Sequence, residues 1–173
     1  PHLLHLSGIG EAAHLQGLGI EVAHDLAGVG RNLHDHFNSY VTFRAAQPVT
    51  YNDLANSWVR RLAAGIRYAA TGKGLIANTG VSAGAFVRSD PRLENPDLQI
   101  NMLLWSADRT PSGVVPHAFS GFMMSPVHLS PEGRGHVRAK SADPFVPPAI
   151  QFEFLVSEYD RQAMLYGLSL IHI

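Results

Sequence analysis

Val81-Ser82-Ala83-Gly84-Ala85-Phe86-Val87 opens a run of apolar segments that continues with Leu98-Gln99-Ile100-Asn101-Met102-Leu103-Leu104 and with residues Phe119 to Leu129. In the second segment Leu98, Ile100 and Met102 alternate with Gln99, Asn101 and Leu103. A period of two places successive side chains on opposite faces of a strand. His136 to Lys140 and Ala149 to Phe152 read as two further short strands, and Ser39 to Ala45, with Tyr40, Val41, Thr42 and Phe43, as an earlier one. Pro- and Gly-rich clusters at 130–135 and 143–148 separate the later strands. The first of these clusters is expected to close a hairpin joining 127–129 to 136–138.

Outward from this β-rich half, the clearest helical period lies at residues 52–71. Leu54, Trp58, Leu62, Ile66 and Ala70 recur every four residues, while Arg60 and Arg67 face the other way. Asn52 is the expected N-cap and Gly72 the stop, and the stripe is expected to pack as core. Glu11 to Leu18 reads as a short helix ended by Gly19, and Ile20 to Ala23 as a brief extended segment. Residues 25–36 are dense in turn formers and read as a structured loop. Ser157 to Leu168 reads as a helix with Ser157 at its N-cap. Strands in antiparallel arrangement with a few helices make an α+β layer architecture. The chain begins at Pro1 in mid-motif, and its last residues, 167–173, turn apolar abruptly in the manner of translated adapter sequence. An artefactual tail is therefore an expectation that resequencing would test.

Composition limits what the chain can do. Apolar residues make up 46% and charged residues 16%, which suits a packed domain and not a disordered one. Formal net charge is −1, so the cationic excess of a duplex-binding surface is missing and no nucleic-acid partner is expected. There are no cysteines, which removes disulfides and thiolate chemistry. No apolar run reaches the length of a transmembrane helix. These features leave the compartment undetermined.

Read one at a time, the chemistry-bearing residues are weak signals. Six of the ten histidines lie within the first 36 residues, with His2 and His5 three apart and His34 and His36 flanking Asp35. Imidazoles bind metals, but no sharp ligand spacing occurs and no metal is expected. Gly28-Val29-Gly30 suggests a phosphate loop, yet Leu33 stands where the third Gly of G-x-G-x-x-G belongs. Ser7, Asp35 and His36 could form a hydrolytic triad, but His5 occupies the position of the first Gly of a nucleophile elbow. Arg134, Arg138 and Lys140 read as a solvated basic face.

Pro1-His2-Leu3-Leu4-His5-Leu6-Ser7-Gly8-Ile9-Gly10 resembles the end of the second signature of the glucose-methanol-choline (GMC) oxidoreductases, and Asp25-Leu26-Ala27-Gly28-Val29-Gly30-Arg31-Asn32-Leu33-His34-Asp35-His36 is similar to a loop of the same family, with Ala27 where Pro is usual. Gly72-Lys73-Gly74-Leu75, Ser82 to Ser89, Pro96 to Gln99, Arg134 to Arg138 and Asp143-Pro144 extend the resemblance to about Tyr166. The resemblance implies an antiparallel-sheet substrate domain with flanking helices, plus a piece of a Rossmann-type FAD-binding domain. On this basis residues 1–37 belong to the FAD-binding part and its connection, 38–155 to the substrate domain with its helix at 52–71, and 156–173 to a helix leading back toward the FAD-binding part.

The implied reaction moves a hydride from the CH–OH group of an alcohol to FAD, with an unknown electron acceptor such as oxygen, a quinone or another carrier. The family's His/Asn catalytic pair lies beyond this segment, so no residue here is assigned to catalysis and the fragment alone is expected to be inactive. Asn32, Leu33, Asp35 and His36 are the implied cofactor-side residues. Ser82, Trp105, His117 and Phe119 are candidates for the substrate pocket. Choline-oxidising relatives carry a Glu where Ser82 stands, so the resemblance implies a neutral, primary alcohol. The alternative from another class is a noncatalytic metal- or ligand-binding module built on the His-rich start.

Overall fold

The computed structural model describes residues 1–172. In chain order its elements are α1 (His2–Leu6), β1 (Ile9–Gly10), α2 (Ala12–Gly17), β2 (His24–Asp25), β3 (Arg31–Leu33), β4 (Phe37–Asn38), β5 (Val41–Arg44), α3 (Tyr51–Ala55), α4 (Trp58–Thr71), a 3₁₀ turn (Leu75–Ala77), β6 (Val81–Val87), β7 (Leu98–Leu103), β8 (Ala107–Thr110), β9 (Gly113–Pro116), β10 (Gly121–His128), β11 (Gly135–Arg138), β12 (Ala149–Gln151) and α5 (Glu158–His172). Helices and antiparallel sheets combine as the α+β reading requires. The elements group into two compact units, one formed by Pro1–His36 with Pro131–Arg161, the other by Phe37–Ser130 with Gln162–Ile173.

The first unit is held by close backbone approaches. β11 lies between β12 and β3 in a three-stranded antiparallel sheet, and β1 pairs in parallel with β2. Gly30 sits at φ +76°, and a Cβ there would fall 2.0 Å from Val137 O. That residue must therefore be Gly for two separate reasons, the left-handed backbone and the passing strand. The approach carries a hydrogen bond from Val137 N to Gly30 O at 2.7 Å. His5 is buried beside it, with Nε2 3.3 Å from Val29 O and Nδ1 accepting from Ala139 N at 3.4 Å. An acceptor at Nδ1 places the proton on Nε2, so the ring is neutral and donates to Val29 O. Burial lowers the His5 pKa from its ordinary value; the hydrogen bond to Val29 O opposes that, and nearby His14, the chain terminus and Arg138 add to it. Asp160, also buried, accepts from Glu132 N at 2.8 Å and Gly133 N at 3.3 Å and closes the 131–133 turn.

The second unit is built on β10, whose eight residues are buried or half-buried. β7 pairs along one side of β10, and β6 pairs with β7. On the other side β4 and β5 share the edge, meeting 127–128 and 121–124 respectively. The break between them lies opposite Pro126, which has no N–H to give to the ladder. Ser39 N still donates to Pro126 O at 3.3 Å. α5 presents Ala163, Met164 and Ile171 as buried residues. A Cβ at Gly167 would meet Pro126 Cβ at 2.7 Å, so the helix lies close on the sheet.

Several expectations need correction. The 127–129 and 136–138 segments do not pair; β10 pairs with β4, β5 and β7, while β11 pairs with β3 and β12. The intervening turn is bound to Asp160 and sends the chain into a different sheet. The hairpin of this region is β8–β9, closed at Pro111-Ser112 with Gly113 at φ +123°. The 52–71 segment is two helices: Thr50 and Asp53 form a capping box on α3, and Ser57 caps α4 by accepting from Arg60 N. Asn52 is not a cap but a buried residue. Gly72 does end α4, in the left-handed conformation. The α4 stripe is helical but is not core, since Trp58, Leu62 and Ile66 are 70%, 56% and 61% exposed. Ile20 to Ala23 forms no strand; the extended pair is His24–Asp25, and Arg31–Leu33 within the supposed loop is a strand. Arg138 is not merely solvated, because it pairs with Glu11, as does Arg31 at 3.1 Å.

Candidate substrate and cofactor site

In the second unit a buried polar knot positions the candidate pocket residues. The Asn52 amide nitrogen donates to Ser106 O at 2.7 Å and His117 O at 2.9 Å, and its oxygen accepts from Ser106 N at 2.8 Å. One side chain from α3 thus holds the start of the β8–β9 hairpin at both its ends. Asn56 adds a donor to His117 O at 2.9 Å. Ser106 O also accepts from His117 N at 3.1 Å, so Ser106 N–H is the backbone group that Asn52 alone satisfies, and leaving it unpaired away from water would cost about 1–3 kcal/mol. Tyr51 N donates to Leu104 O at 2.8 Å, and the Tyr51 hydroxyl lies 2.6 Å from Leu75 O and 3.0 Å from Asn78 O. A cavity of about 230 Å³ lies against this knot, lined by Tyr51, Asn52, Ala55, Gly80, Trp105 and Pro116.

Trp105 lines this cavity and also a second one of about 240 Å³ that includes Tyr40, Arg109 and Met123. His117 and Phe119 stack with ring centres 4.7 Å apart, and the Arg44 guanidinium lies 4.3 Å from the Phe119 ring centre. His117 Nδ1 is 2.9 Å from Ser106 Oγ and Nε2 is 3.1 Å from Asp108 Oδ1. This is a Ser-His-Asp chain in outline. Ser106 is buried at 0% exposure, however, so its hydroxyl orients His117 and cannot attack a substrate. Ser82 lies on exposed β6 and its hydroxyl accepts from Asn78 Nδ2 at 3.2 Å. The cavity therefore brings in Trp105 directly, His117 and Phe119 through the knot, and Ser82 only as a strand neighbour of Gly80.

Asp53, next to the knot, is subject to opposed forces. Burial alone raises its pKa, but hydrogen bonds from Thr50 N–H and the Ser120 and Thr50 hydroxyls, with Arg60 nearby, lower it overall. The carboxylate is thus held charged at the start of α3, where it favours the helix dipole.

The four residues that the resemblance implies for the cofactor side, Asn32, Leu33, Asp35 and His36, belong to the first unit. Asn32 is exposed at φ +59°, a conformation that Asn tolerates better than most residues. Leu33 pairs with Gly135 in the sheet. Asp35 Oδ1 accepts from His36 N at 2.8 Å, and both side chains are exposed. His34 Nε2 lies 2.9 Å from Pro131 O. Asn32 borders a cleft of about 280 Å³ shared with Arg31, Arg134, His136 and Arg138. The cleft is polar and open, lined by donors and acceptors that could hydrogen-bond a polar ligand. The histidines of the His-rich start do not gather as a ligand set: His5 packs edge-on against His14 with ring centres 5.7 Å apart, and His34 is tied to Pro131. Among the described residues no group of three or more His, Cys, Asp or Glu is placed to hold a metal ion.

A family profile described as GMC oxidoreductase matches residues 131–172. An oxygen-dependent choline dehydrogenase from Pseudomonas fluorescens is 37% identical over 172 residues, which is 98% of this chain and 30% of that protein. The chain belongs to the GMC oxidoreductase family. A choline dehydrogenase from Acinetobacter baumannii is 35% identical over 164 residues, covering 92% of this GMC chain and 28% of the relative. The chain thus spans about a third of the length of the curated relatives it matches. A formate oxidase structure superposes with a TM-score of 0.81 at 23% identity, over 98% of this chain and 34% of its own, and a pyridoxine 4-oxidase from Mesorbium loti with 0.74 at 21%, over 98% and 29%. At that identity the likeness speaks for the fold.

Sequence reasoning missed Tyr51, Asn52, Ser106 and Asp108 in this GMC chain. The Thr50-x-x-Asp53 capping pattern was available as a signal for the true start of α3. Nothing local signals that Asn52 reaches residues 54 and 65 positions away.

Proposed function

We propose that the protein containing this chain is an FAD-dependent oxidoreductase acting on the CH–OH group of a neutral, primary alcohol. The end-to-end match to GMC relatives supports the reaction class. The observation that carries the substrate class is the lining of the 230 Å³ cavity, which includes no carboxylate, beside a strand on which Ser82 stands where the resemblance implies a Glu in choline-oxidising members. An apolar site without a counter-charge disfavours a cationic substrate.

Bound FAD would supply the redox chemistry by accepting hydride from the alcohol carbon. This chain's own part is to bind and orient. The Asn52 knot fixes Trp105 and the β8–β9 hairpin, so the apolar wall is rigid before the alcohol arrives. Asn32, Asp35 and His36 offer polar groups to the cofactor, and Leu33 anchors their loop through the sheet. Residues outside this chain take up the hydroxyl proton. Electrons leave to an acceptor, oxygen, a quinone or another carrier, which parallel assays with each would distinguish.

Choline is the second reading. The relatives bear that name, and Tyr51 and Trp105 are aromatic faces of the kind that attract quaternary ammonium groups. The test is a kcat/KM comparison of choline and primary aliphatic alcohols on the full-length protein. We expect the neutral alcohols to win and Ser82→Glu to shift the ratio toward choline by about tenfold or more. A preference for choline in the unsubstituted enzyme overturns the substrate class. A full-length product that is colourless and cannot take up FAD overturns the reaction.

A further inference from the structure

The register of the central sheet sets a row of side chains on one of its faces. Across β5, β10 and β7, Thr42 stands opposite Met123 and Met123 opposite Leu103. Residues directly opposite each other in antiparallel strands put their side chains on the same face, so these three form one continuous floor. The β8–β9 hairpin contributes Arg109, paired in its ladder with Val114, and Trp105 lies between β7 and that hairpin. With Tyr40 these residues line the 240 Å³ cavity, the second of the two that share Trp105.

The polar groups of this cavity are uncommitted. Arg109 forms no ion pair or hydrogen bond among the described residues. Its neighbour Asp108 is engaged with His117 Nε2 at 3.1 Å, and Arg44, further along β5, lies over the Phe119 ring. The Tyr40 and Thr42 hydroxyls make no hydrogen bond among the described residues either. No Asp or Glu lines the cavity, whereas the 230 Å³ cavity across Trp105 is lined by no charged residue at all. One cation, two hydroxyls and an apolar floor thus meet at one place without an anion.

We propose that this cavity binds a small monocarboxylate with an aromatic or branched apolar body. The carboxylate meets Arg109 and the two hydroxyls, and the body lies between Trp105 and the Met123–Leu103 floor. A guanidinium is a planar fork that gives a carboxylate two parallel N–H bonds, the geometry a single Arg serves best. Trp105 and Tyr40 offer aromatic surface to a flat body. The volume lies below the roughly 300 Å³ at which sites for drug-sized ligands begin, so the ligand is small. Phosphate fits less well: one cation cannot balance its charge, and Met123 and Leu103 would face its oxygens. A quaternary ammonium group is repelled by Arg109. The site is separate from the alcohol cavity and does not depend on which alcohol the enzyme oxidises.

The test is calorimetric titration of the full-length, flavin-loaded protein with benzoate, and with benzamide as the uncharged match. We expect benzoate to bind about tenfold or more tightly than benzamide, as hydrogen bonds to a charged group require. Arg109→Gln should bring benzoate down to the benzamide level and leave benzamide, flavin content and melting temperature unchanged. Arg109→Lys should keep part of the difference, and inorganic phosphate should not displace benzoate. Equal binding of benzoate and benzamide overturns the proposal. So does benzoate binding that Arg109→Gln leaves intact, which would put the ligand elsewhere. A melting temperature that falls in Arg109→Gln, with no benzoate bound by the unsubstituted protein, would give Arg109 to an acidic side chain of the remaining polypeptide and overturn it equally. Displacement by phosphate would overturn the ligand class. Alcohol turnover enters none of these readings, so an error in the substrate class would show separately.

Discussion

The two compact units of this chain are stabilised in opposite styles. In the first, backbone passes backbone at contact distance, and the residues that matter are those without a side chain or with one tightly placed ring: Gly30 against Val137, and His5 against Val29 and Ala139. In the second, one central strand is buried along its length, and a single amide, Asn52, ties together segments far apart in sequence. The first style leaves a sequence signature, because the permitted residue at each close approach is narrowly defined. The second leaves almost none, because many polar residues could be written at position 52 and only the fold shows what it must reach.

The sharpest way to break the first unit is Gly30→Ala. The added methyl would lie 2.0 Å from a carbonyl oxygen on a left-handed backbone. We expect a loss of at least about 3 kcal/mol, seen as insoluble or thermally labile full-length protein. A variant with an unchanged melting temperature would show that the approach is looser than described.

The matching blow to the second unit is Asn52→Leu. It keeps the volume and orphans Ser106 N–H, while Ser106 O keeps His117 N–H and His117 O keeps the Asn56 amide. We expect a loss of about 1–3 kcal/mol in denaturant unfolding, together with raised KM, since the hairpin that carries Trp105 and His117 loses a tie. Unaltered kinetics would separate the knot from the pocket.

Acid should distinguish the units without mutation. The His5 pKa is lowered on folding, so the unfolded chain takes up that proton first. Its contribution is complete above the ordinary histidine value of 6.5 and is lost as pH falls from there toward the folded value. Asp53 is also lowered, so its contribution is complete above the ordinary 3.8 and is lost only as pH falls through the depressed folded value. Hydrogen exchange, corrected for intrinsic rates, should show amides near Val29 and Ala139 loosening between pH 7 and 5 while those near Thr50 stay protected. His5→Asn should remove the first effect. Simultaneous loosening would mean that the units open together.

The smallest effect expected is that of Ser157→Ala. The Ser157 hydroxyl accepts from Asp160 N at 3.0 Å at the start of α5. Its loss should cost about 1 kcal/mol in thermal unfolding.

Strand existence was readable because period-two alternation and Pro or Gly punctuation are local. β6 matches its sequence reading at both ends, and β7, β10, β11 and β12 within two residues. Pairing was not readable. The 130–135 turn has hairpin chemistry, yet the carboxylate of Asp160, 27 residues downstream of Gly133, captures it and separates the two strands into different sheets. The α4 stripe was readable as helix but misread as core, since a repeat of four states which residues share a face and not what that face meets.

The amino-acid order alone therefore determined the periodicities, the turn residues and, through the Ser-Gly-Ile-Gly and Asn-Leu-His-Asp-His motifs, the family. Those properties are local: each depends on dihedral preference or on contact with a near neighbour. The tertiary structure decided which strands pair, that Asn52 is the knot of the candidate pocket, that Ser106 is too buried to react, and that an apolar helix face points outward. Each of these depends on contacts between residues far apart in sequence, and no local pattern encodes a partner that only chain folding brings near.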